Sequence, residues 1–264
     1  MTMSESTDNE MTFWDHLDDL RKVLFRIVGV VGIATLLAFS YMKEIFDNFI
    51  LAPTRNNFYL YEWLNTLAKK YPVLPDFCTG SFQVKIININ LTSQFLIHMS
   101  TSLWLGVVVA FPFIIYQIYL FVKPALYVHE QQNIGWAIFF GNTLFYIGTA
   151  LGYLMVFPLT LRFLAGYELS SFIENSVSLD SYIDSFLMLC FVMGLVFELP
   201  LLSWILSNLG VLKKSFFNNF RKHAIVILLL FSAFITPSSD PFTLLVVFLP
   251  IYLLWEISAL VVKK

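Results

Sequence analysis

Long apolar runs alternate with polar connections along most of the chain. Six of these runs reach or approach the roughly 20 residues that an α-helix needs to cross a hydrocarbon core of about 30 Å. They cover residues 23–42, 95–122, 134–159, 182–206, 224–234 and 242–262. The runs are too long and too continuous for the alternating strands of a membrane β-barrel. The pattern therefore predicts an all-α, polytopic membrane protein with six transmembrane helices, in a single domain over residues 1–264.

The fifth run is short for a membrane span. About 11 to 14 residues extend only about 16–21 Å at about 1.5 Å per residue, less than the hydrocarbon core requires. A short helix is accommodated by thinning of the bilayer or by packing against a partner helix. We therefore expect the fifth and sixth runs to form a hairpin against which partners dock.

Composition supports the membrane assignment and narrows the class of protein. Hydrophobic residues make up 58% of the chain and charged residues only 13%, about half the charged share of an average soluble protein. The net charge of −2 gives no global basic field of the kind that attracts nucleic acid. A nucleic acid partner is therefore not expected.

The cationic residues predict the orientation. Six spans put both termini on one side, and cytoplasmic loops carry an excess of Lys and Arg. If the termini are cytoplasmic, that side holds ten of the sixteen cations, namely Arg21, Lys22, Arg26, Lys123, Lys213, Lys214, Arg221, Lys222, Lys263 and Lys264. We therefore predict an N-in, C-in topology with residues 1–22 as a cytoplasmic amphipathic segment and residues 43–94 as a long outer loop. Within that loop, the segment 85–95 is expected to be extended.

Prolines and glycines occur within several of the predicted spans. Pro112, Pro158, Pro200 and Pro250 each remove one helical hydrogen bond and favour a kink. Small residues at 141, 148 and 152 form a seam on the third span that suits close helix contact. Internal packing is the favoured role of this seam, ahead of a dimer interface.

Three carboxylates, Asp184, Glu198 and Glu256, fall within the predicted spans, and intramembrane acids suggest a function by default. Pro200 leaves the carbonyl of Val196 without its usual donor, so a protonated Glu198 could donate to it as a structural group. The functional alternative is that Glu198 faces a water-accessible concave surface and holds cargo or a partner helix. Glu256 lies near the cytoplasmic end of the last span, where it can reach the interface.

A second group of acids lies on the predicted cytoplasmic face. Glu130 follows His129 in the first cytoplasmic loop, close to the aromatic side chains of Phe121 and Tyr127, and Asp19 belongs to the amphipathic segment on the same face. Carboxylates bind Arg in a bidentate manner. Two separated acids beside aromatics therefore predict a receptor for a basic peptide.

Catalytic chemistry is not indicated. The chain has no phosphate-binding glycine loop, no HExxH or GxSxG motif and no paired His cluster. Cys78 lies in a polar loop and Cys190 in an apolar run, so neither a disulfide nor a metal site is expected, and no cofactor is predicted. A secondary transporter or channel is the alternative function class because intramembrane acids and broken helices occur there too. That class predicts a repeat of hydropathy between the two halves, which this sequence lacks.

Several motifs occur together in order and resemble one known family. They are HLDDLR at 16–21, LAP at 51–53, FPFIIYQIYLFVKPALYVHE at 111–130, LFYIG at 144–148, FELP at 197–200 and TPSSDPF at 236–242. Together they resemble TatC, the multispanning receptor of the twin-arginine protein translocase, from residue 13 to the C-terminus. The chain departs from the family pattern where Asp19 replaces the usual Glu, where two Gln follow Glu130 and where the first outer loop is longer.

The resemblance implies a curved cup of six helices in the cytoplasmic (inner) membrane. It implies binding of twin-arginine signal peptides of folded cargo, recruitment of small single-span subunits of the TatA or TatB type, contact with membrane lipid and a homo-oligomer within a complex. For the signal-peptide site it implies Glu130, Asp19, Arg21 and Phe121, to which His129 is added as a neighbour of Glu130. For translocation and partner binding it implies Glu198, Pro53 and Asp240, to which Glu256 is added as an intramembrane acid.

Overall fold

The computed structural model describes residues 13–70, 84–122, 134–167, 170, 175–208, 210–236 and 240–262. Five helical segments within these ranges are long and apolar enough to cross a membrane. They are Leu17–Ser40, Ser93–Phe121, Gly135–Gly166, Leu179–Asn208 and Pro241–Val261. Each overlaps one predicted span, and the boundaries differ by at most seven residues. The prediction of an all-α, polytopic membrane protein is therefore confirmed.

The first two spans form an antiparallel pair. Helix α1 (Phe13–Ser40) includes residues 13–22 of the predicted amphipathic segment without a break, residues 1–12 lie outside the described residues, and α1 packs on α4 (Ser93–Val122). The ring of His98 stacks on Phe39 and its Nε2 lies 3.1 Å from the Phe39 carbonyl oxygen. A Cβ added at Gly106 would lie 2.8 Å from the backbone nitrogen of Thr35, so the two helices touch where only glycine fits.

The third and fourth spans are each interrupted near a proline. In the third span, α5 (Ile134–Leu151) passes into a π-helical segment (Gly152–Val156) before α6 (Phe157–Gly166). In the fourth span, α7 (Leu179–Val196) and α8 (Leu199–Asn208) are separated by a two-residue turn. Pro158 and Pro200 lie just after these interruptions and supply no backbone N–H to the preceding turn. By contrast, Pro112 and Pro250 lie inside continuous helices.

The fourth span forms the centre of the structure and the first span its edge. In the most apolar part of the fourth span 56% of residues are buried, against 6% in the first span. Leu189 and Met193 on α7 have no exposed surface. The core therefore lies around α7, and α1 presents most of its apolar surface outward to lipid.

Glycines set the distance between the third span and α7. A Cβ added at Gly148 would lie 2.6 Å from the Met193 carbonyl oxygen, and one at Gly152 would lie 2.8 Å from the Cα of Cys190. On the facing helix, a Cβ at Gly194 would lie 2.8 Å from the ring of Phe145. The predicted small-residue seam is thus confirmed as internal packing.

The last part of the chain contains α9 (Lys214–Asn219), α10 (Arg221–Ile235) and α11 (Pro241–Val261). Helix α10 corresponds to the predicted fifth span and packs on α11. Its 15 residues extend about 22 Å, which is short of the hydrocarbon thickness. The short helix was therefore predicted correctly, whereas the count of six spans stays a prediction.

The segments between spans carry short helices and one small sheet. After α1 the chain forms α2 (Met42–Ile45), a π-helix (Phe46–Ile50), a 3₁₀ turn (Ala52–Thr54) and α3 (Tyr59–Lys70). Strand β1 (Lys85–Ile87) pairs in parallel with β2 (Ser176–Ser178) in the register Lys85–Ser176, Ile86–Val177 and Ile87–Ser178. The predicted extended segment is confirmed at residues 85–87, and α4 already begins at Ser93.

Tyrosines from the spans anchor this region. The hydroxyl of Tyr182 donates to the Ile50 carbonyl at 2.6 Å, and that of Tyr153 donates to the Phe49 carbonyl at 2.9 Å. The last carbonyls of a helix have no donor within the helix. Tyr182 therefore supplies a donor to the Ile50 carbonyl, and Tyr153 adds a second donor to the Phe49 carbonyl, which also accepts from a backbone N–H.

We expect Gly148→Ala to destabilise the protein because the new methyl group would meet the backbone of α7, which cannot move aside cheaply. Overpacking of this kind costs about 1–3 kcal/mol, and thermal unfolding in detergent would measure it. Gly135→Ala on the same helix is the matched control, since a Cβ there has nothing within 4 Å. Equal unfolding temperatures for the two variants would contradict the assigned contact.

Candidate functional site

The residues predicted to bind a basic peptide fall at one end of the α1–α4 pair. Thr35 contacts Gly106 across the antiparallel helices, so positions on either side of this contact can be matched by helical rise. Asp19 lies 16 residues before Thr35, or about 24 Å, and Phe121 lies 15 residues after Gly106, or about 22 Å. Asp19 and Phe121 therefore lie at the same level along the axis of the helix pair. This is the end at which the chain enters the connection at residues 123–133. Glu130 and His129 belong to that connection and lie outside the described residues.

Asp19 presents an accessible carboxylate at this end. Its Oδ1 accepts from Lys22 Nζ at 2.9 Å, and the two side chains are 42% and 63% exposed. An exposed ion pair contributes little to stability, typically about 0–1 kcal/mol. The carboxylate can therefore exchange this cation for another one at small cost.

Arg21 is turned away from that pair. Its guanidinium carbon lies 5.6 Å from the centroid of the Phe25 ring, one turn further along α1. Phe121 is half-buried in the last turn of α4. This end of the helix pair thus combines an acid, a cation and aromatic rings.

Glu198 occupies the turn between α7 and α8. The Glu198 N–H donates to Leu195 and its carbonyl accepts from the Leu202 N–H, so the helical path continues on both sides of the turn. The side chain lies against α5, where a Cβ added at Gly141 would be 3.2 Å from Oε2. Within the described residues Oε1 has no hydrogen-bond partner.

The burial of Glu198 corrects one expectation. We expected a carboxylate on a water-accessible surface, but the residue is only 8% exposed. The reason is the absence of a side chain at Gly141, which lets the carboxylate lie against the third span. The alternative was that a protonated Glu198 donates to the Val196 carbonyl. Oε1 makes no such hydrogen bond, because it has no partner among the described residues.

Pro53 helps to tie the long connection to the spans. It is buried in the 3₁₀ turn, and its carbonyl accepts from the hydroxyl of Tyr61 at 3.0 Å. The same hydroxyl lies 3.2 Å from the carbonyl of Pro158, while Arg162 lies 4.8 Å above the tyrosine ring. Pro53 thus belongs to a buried junction between α3 and α6.

Asp240, the predicted acid of the last loop, and Glu256, an acid of the last span, have structural partners. Asp240 is the N-cap of α11, where its carboxylate accepts from the Thr243 N–H at 2.7 Å. Glu256 accepts from Arg221 Nη2 at 2.6 Å and from the Tyr252 hydroxyl at 3.1 Å. Glu256 therefore links α10 to α11.

Sequence reasoning missed Tyr61, Tyr153 and Tyr182. Each hydroxyl meets a backbone carbonyl far away in sequence, and only the general need of a buried tyrosine hydroxyl for a partner signals such a bond. No group of three or more His, Cys, Asp or Glu side chains suited to a metal occurs in the described part of the chain. Cys190 is buried in α7, whereas Cys78 lies outside the described residues.

Comparisons with known proteins agree with this architecture. Residues 15–250 match the family described as Sec-independent protein translocase protein (TatC). Relatives named Sec-independent protein translocase protein TatC occur in Blattabacterium sp. subsp. Periplaneta americana (32% identical, covering 95% of this chain and 94% of the relative) and in Aquifex aeolicus (30% identical, covering 94% and 93%). A crystal structure of the twin arginine translocase receptor TatC superposes with a TM-score of 0.72 at 30% identity, covering 93% of this chain and 97% of that one. On these findings, the chain belongs to the TatC family of protein translocase components.

Proposed function

We propose that this chain is the receptor component of a twin-arginine translocase in the cytoplasmic (inner) membrane. As a single membrane domain shaped as a six-helix cup, it binds twin-arginine signal peptides of folded proteins and recruits small single-span subunits of the TatA and TatB type. Family membership supports the translocase role. The observation that carries the receptor role is the common level of Asp19 and Phe121 at the entrance to the connection that contains Glu130. The transporter alternative has no comparable support.

The signal-peptide site combines residues from α1 and from this connection. Glu130 and Asp19 bind the two arginines, because each carboxylate can accept paired N–H donors from a guanidinium. Phe121 and His129 supply flat surfaces beside the acids, and Arg21 lies in the same turn of α1 as Asp19. The exposed Asp19–Lys22 pair opens at little cost when an arginine arrives.

Replacing Glu130 with Ala or Lys should weaken signal-peptide binding at least about tenfold. Hydrogen bonds to charged groups contribute about 1.5–3 kcal/mol, and Lys adds repulsion toward the arginines. Affinity of the purified protein for a fluorescent twin-arginine peptide is the measurement. Glu62→Lys, at an exposed acid on α3, is the matched control and should bind normally, as should Asp19→Glu. Unchanged affinity of an inserted Glu130→Lys protein would remove Glu130 from the site.

Partner subunits dock on the hairpin of α10 and α11. Helix α10 is too short to match the hydrocarbon thickness, and a partner helix beside it relieves the mismatch. The Arg221–Glu256 ion pair links the two helices of the hairpin, and the Asp240 cap fixes the start of α11. Pro53 contributes indirectly because it holds the long connection against α6 through Tyr61.

Glu198 serves transport after the signal peptide has bound. A buried acceptor without a donor is unfavourable, so a donor brought by cargo or by a partner helix gains a contact there. Glu198→Gln keeps the size of the side chain but removes the carboxylate. It should slow export of a folded cargo several-fold while the protein remains inserted and binds signal peptide normally. Normal export by this variant, or its failure to accumulate folded, would refute the transport role.

The orientation and the sixth span are tested together by cysteine labelling. In a Cys78→Ser background, Ser238→Cys should react with a membrane-impermeant maleimide from outside intact cells, because it lies between α10 and α11 on the proposed outer side. Lys213→Cys and Lys264→Cys should react only after the membrane is opened. The unmodified protein, labelled at Cys78, is the positive control. Labelling of Lys213→Cys from outside would show that α10 does not cross the membrane.

A further inference from the structure

Gly141 faces the carboxylate of Glu198 at the contact between the third and fourth spans. A Cβ built at Gly141 would lie 3.2 Å from Oε2 and 3.6 Å from Oε1 of Glu198, and 2.6 Å from Cδ2 of Leu201. These three atoms lie at the ends of side chains that can rotate. The absence of a side chain at Gly141 therefore determines where the carboxylate lies, more than where the helix backbone lies.

The other glycines of the third span that touch the fourth span have a different environment. A Cβ at Gly148 would meet the carbonyl oxygen of Met193 and the Cβ of Phe197, and one at Gly152 would meet the Cα of Cys190. Backbone and Cβ atoms move only with their helix. Gly148 and Gly152 therefore set the distance between the third and fourth spans, whereas Gly141 leaves space for one polar group.

The turn between α7 and α8 directs two successive residues onto the same face of α5. Phe197 lies on Gly148 and Glu198 lies on Gly141, and these glycines are seven residues apart, which places them on one side of the helix. Oε1 of Glu198 is buried without a hydrogen-bond partner in the described chain. Shape, and not a hydrogen bond to that oxygen, holds the carboxylate against α5.

We infer that Gly141 is the positioning residue for Glu198, keeping the carboxylate against the third span at the height where transport uses it. The inference rests on the proposed role of Glu198 in export. It predicts that a methyl group at position 141 displaces the carboxylate without unfolding the protein, since the atoms in its way are flexible.

The test compares export rates in cells that contain the full chain with its partner subunits. Gly141→Ala should slow export of a folded twin-arginine cargo at least about threefold and leave the affinity for signal peptide unchanged. Gly135→Ala should export at the normal rate because a Cβ there has nothing within 4 Å. A merely structural role for Gly141 would instead lower the amount of folded protein and the affinity together.

The double variant Gly141→Ala/Leu201→Ala tests whether the new methyl group slows export through the carboxylate of Glu198 or through Leu201. Leu201→Ala removes the atom 2.6 Å from the new methyl group and leaves the contact with Glu198. The double variant should fold and remain slow, while Leu201→Ala alone should export normally. Full recovery of export in the double variant would mean that the defect arises from Leu201, and would overturn the inference.

A double-mutant cycle with Glu198→Gln completes the test. If Gly141 acts through the carboxylate, adding Gly141→Ala to Glu198→Gln should slow export no further. Multiplicative slowing would show independent action and overturn the inference. Slow export by Glu198→Gln with normal export by Gly141→Ala would reject the positioning role and leave the proposed function intact. Normal export by Glu198→Gln would reject the role of the carboxylate in the proposed function as well.

Discussion

Every backbone carbonyl that packing removes from water needs a hydrogen-bond donor from within the chain, and this need shapes how the connections join the spans. At the end of the π-helix Phe46–Ile50, tyrosines from the third and fourth spans each donate to one carbonyl. Tyr61 lies between the carbonyls of Pro53 and Pro158 in the same way. The polar connection after α1 is consequently bonded to the bundle through its backbone.

Close contact between α5 and α7 depends on this arrangement in turn. Tyr153 and Tyr182 project from the third and fourth spans toward one segment, and this fixes how far the two spans can slide past each other. Gly148 and Gly194 then bring the helices together along their length. The central position of α7 follows from both contacts.

Local signals account for what the sequence could predict. Run length defines a span, and a small-residue seam defines a contact face, so the five long spans and the contact face of the third span were foreseeable. That α7 lies against this face was not. The second strand was not, because three residues at 176–178 carry no distinctive pattern. Nor could sequence reveal which carbonyl each tyrosine bonds, or that Glu198 turns toward Gly141 and away from water. These outcomes depend on residues that are far apart in the chain and meet only after packing.

The strand pair has a mechanical consequence for the bundle. Strands β1 and β2 lead into α4 and α7, and Asp180 at the start of α7 accepts from Ser93 at the start of α4 at 2.8 Å. The starts of these two helices are therefore fastened side by side. Because a lever fixed at one end moves most at the other, we expect any relative motion of the second and fourth spans to be smallest at the strand pair and largest near Phe121 and Asn208. Such motion would separate the ends of these spans that lie farthest from the strands.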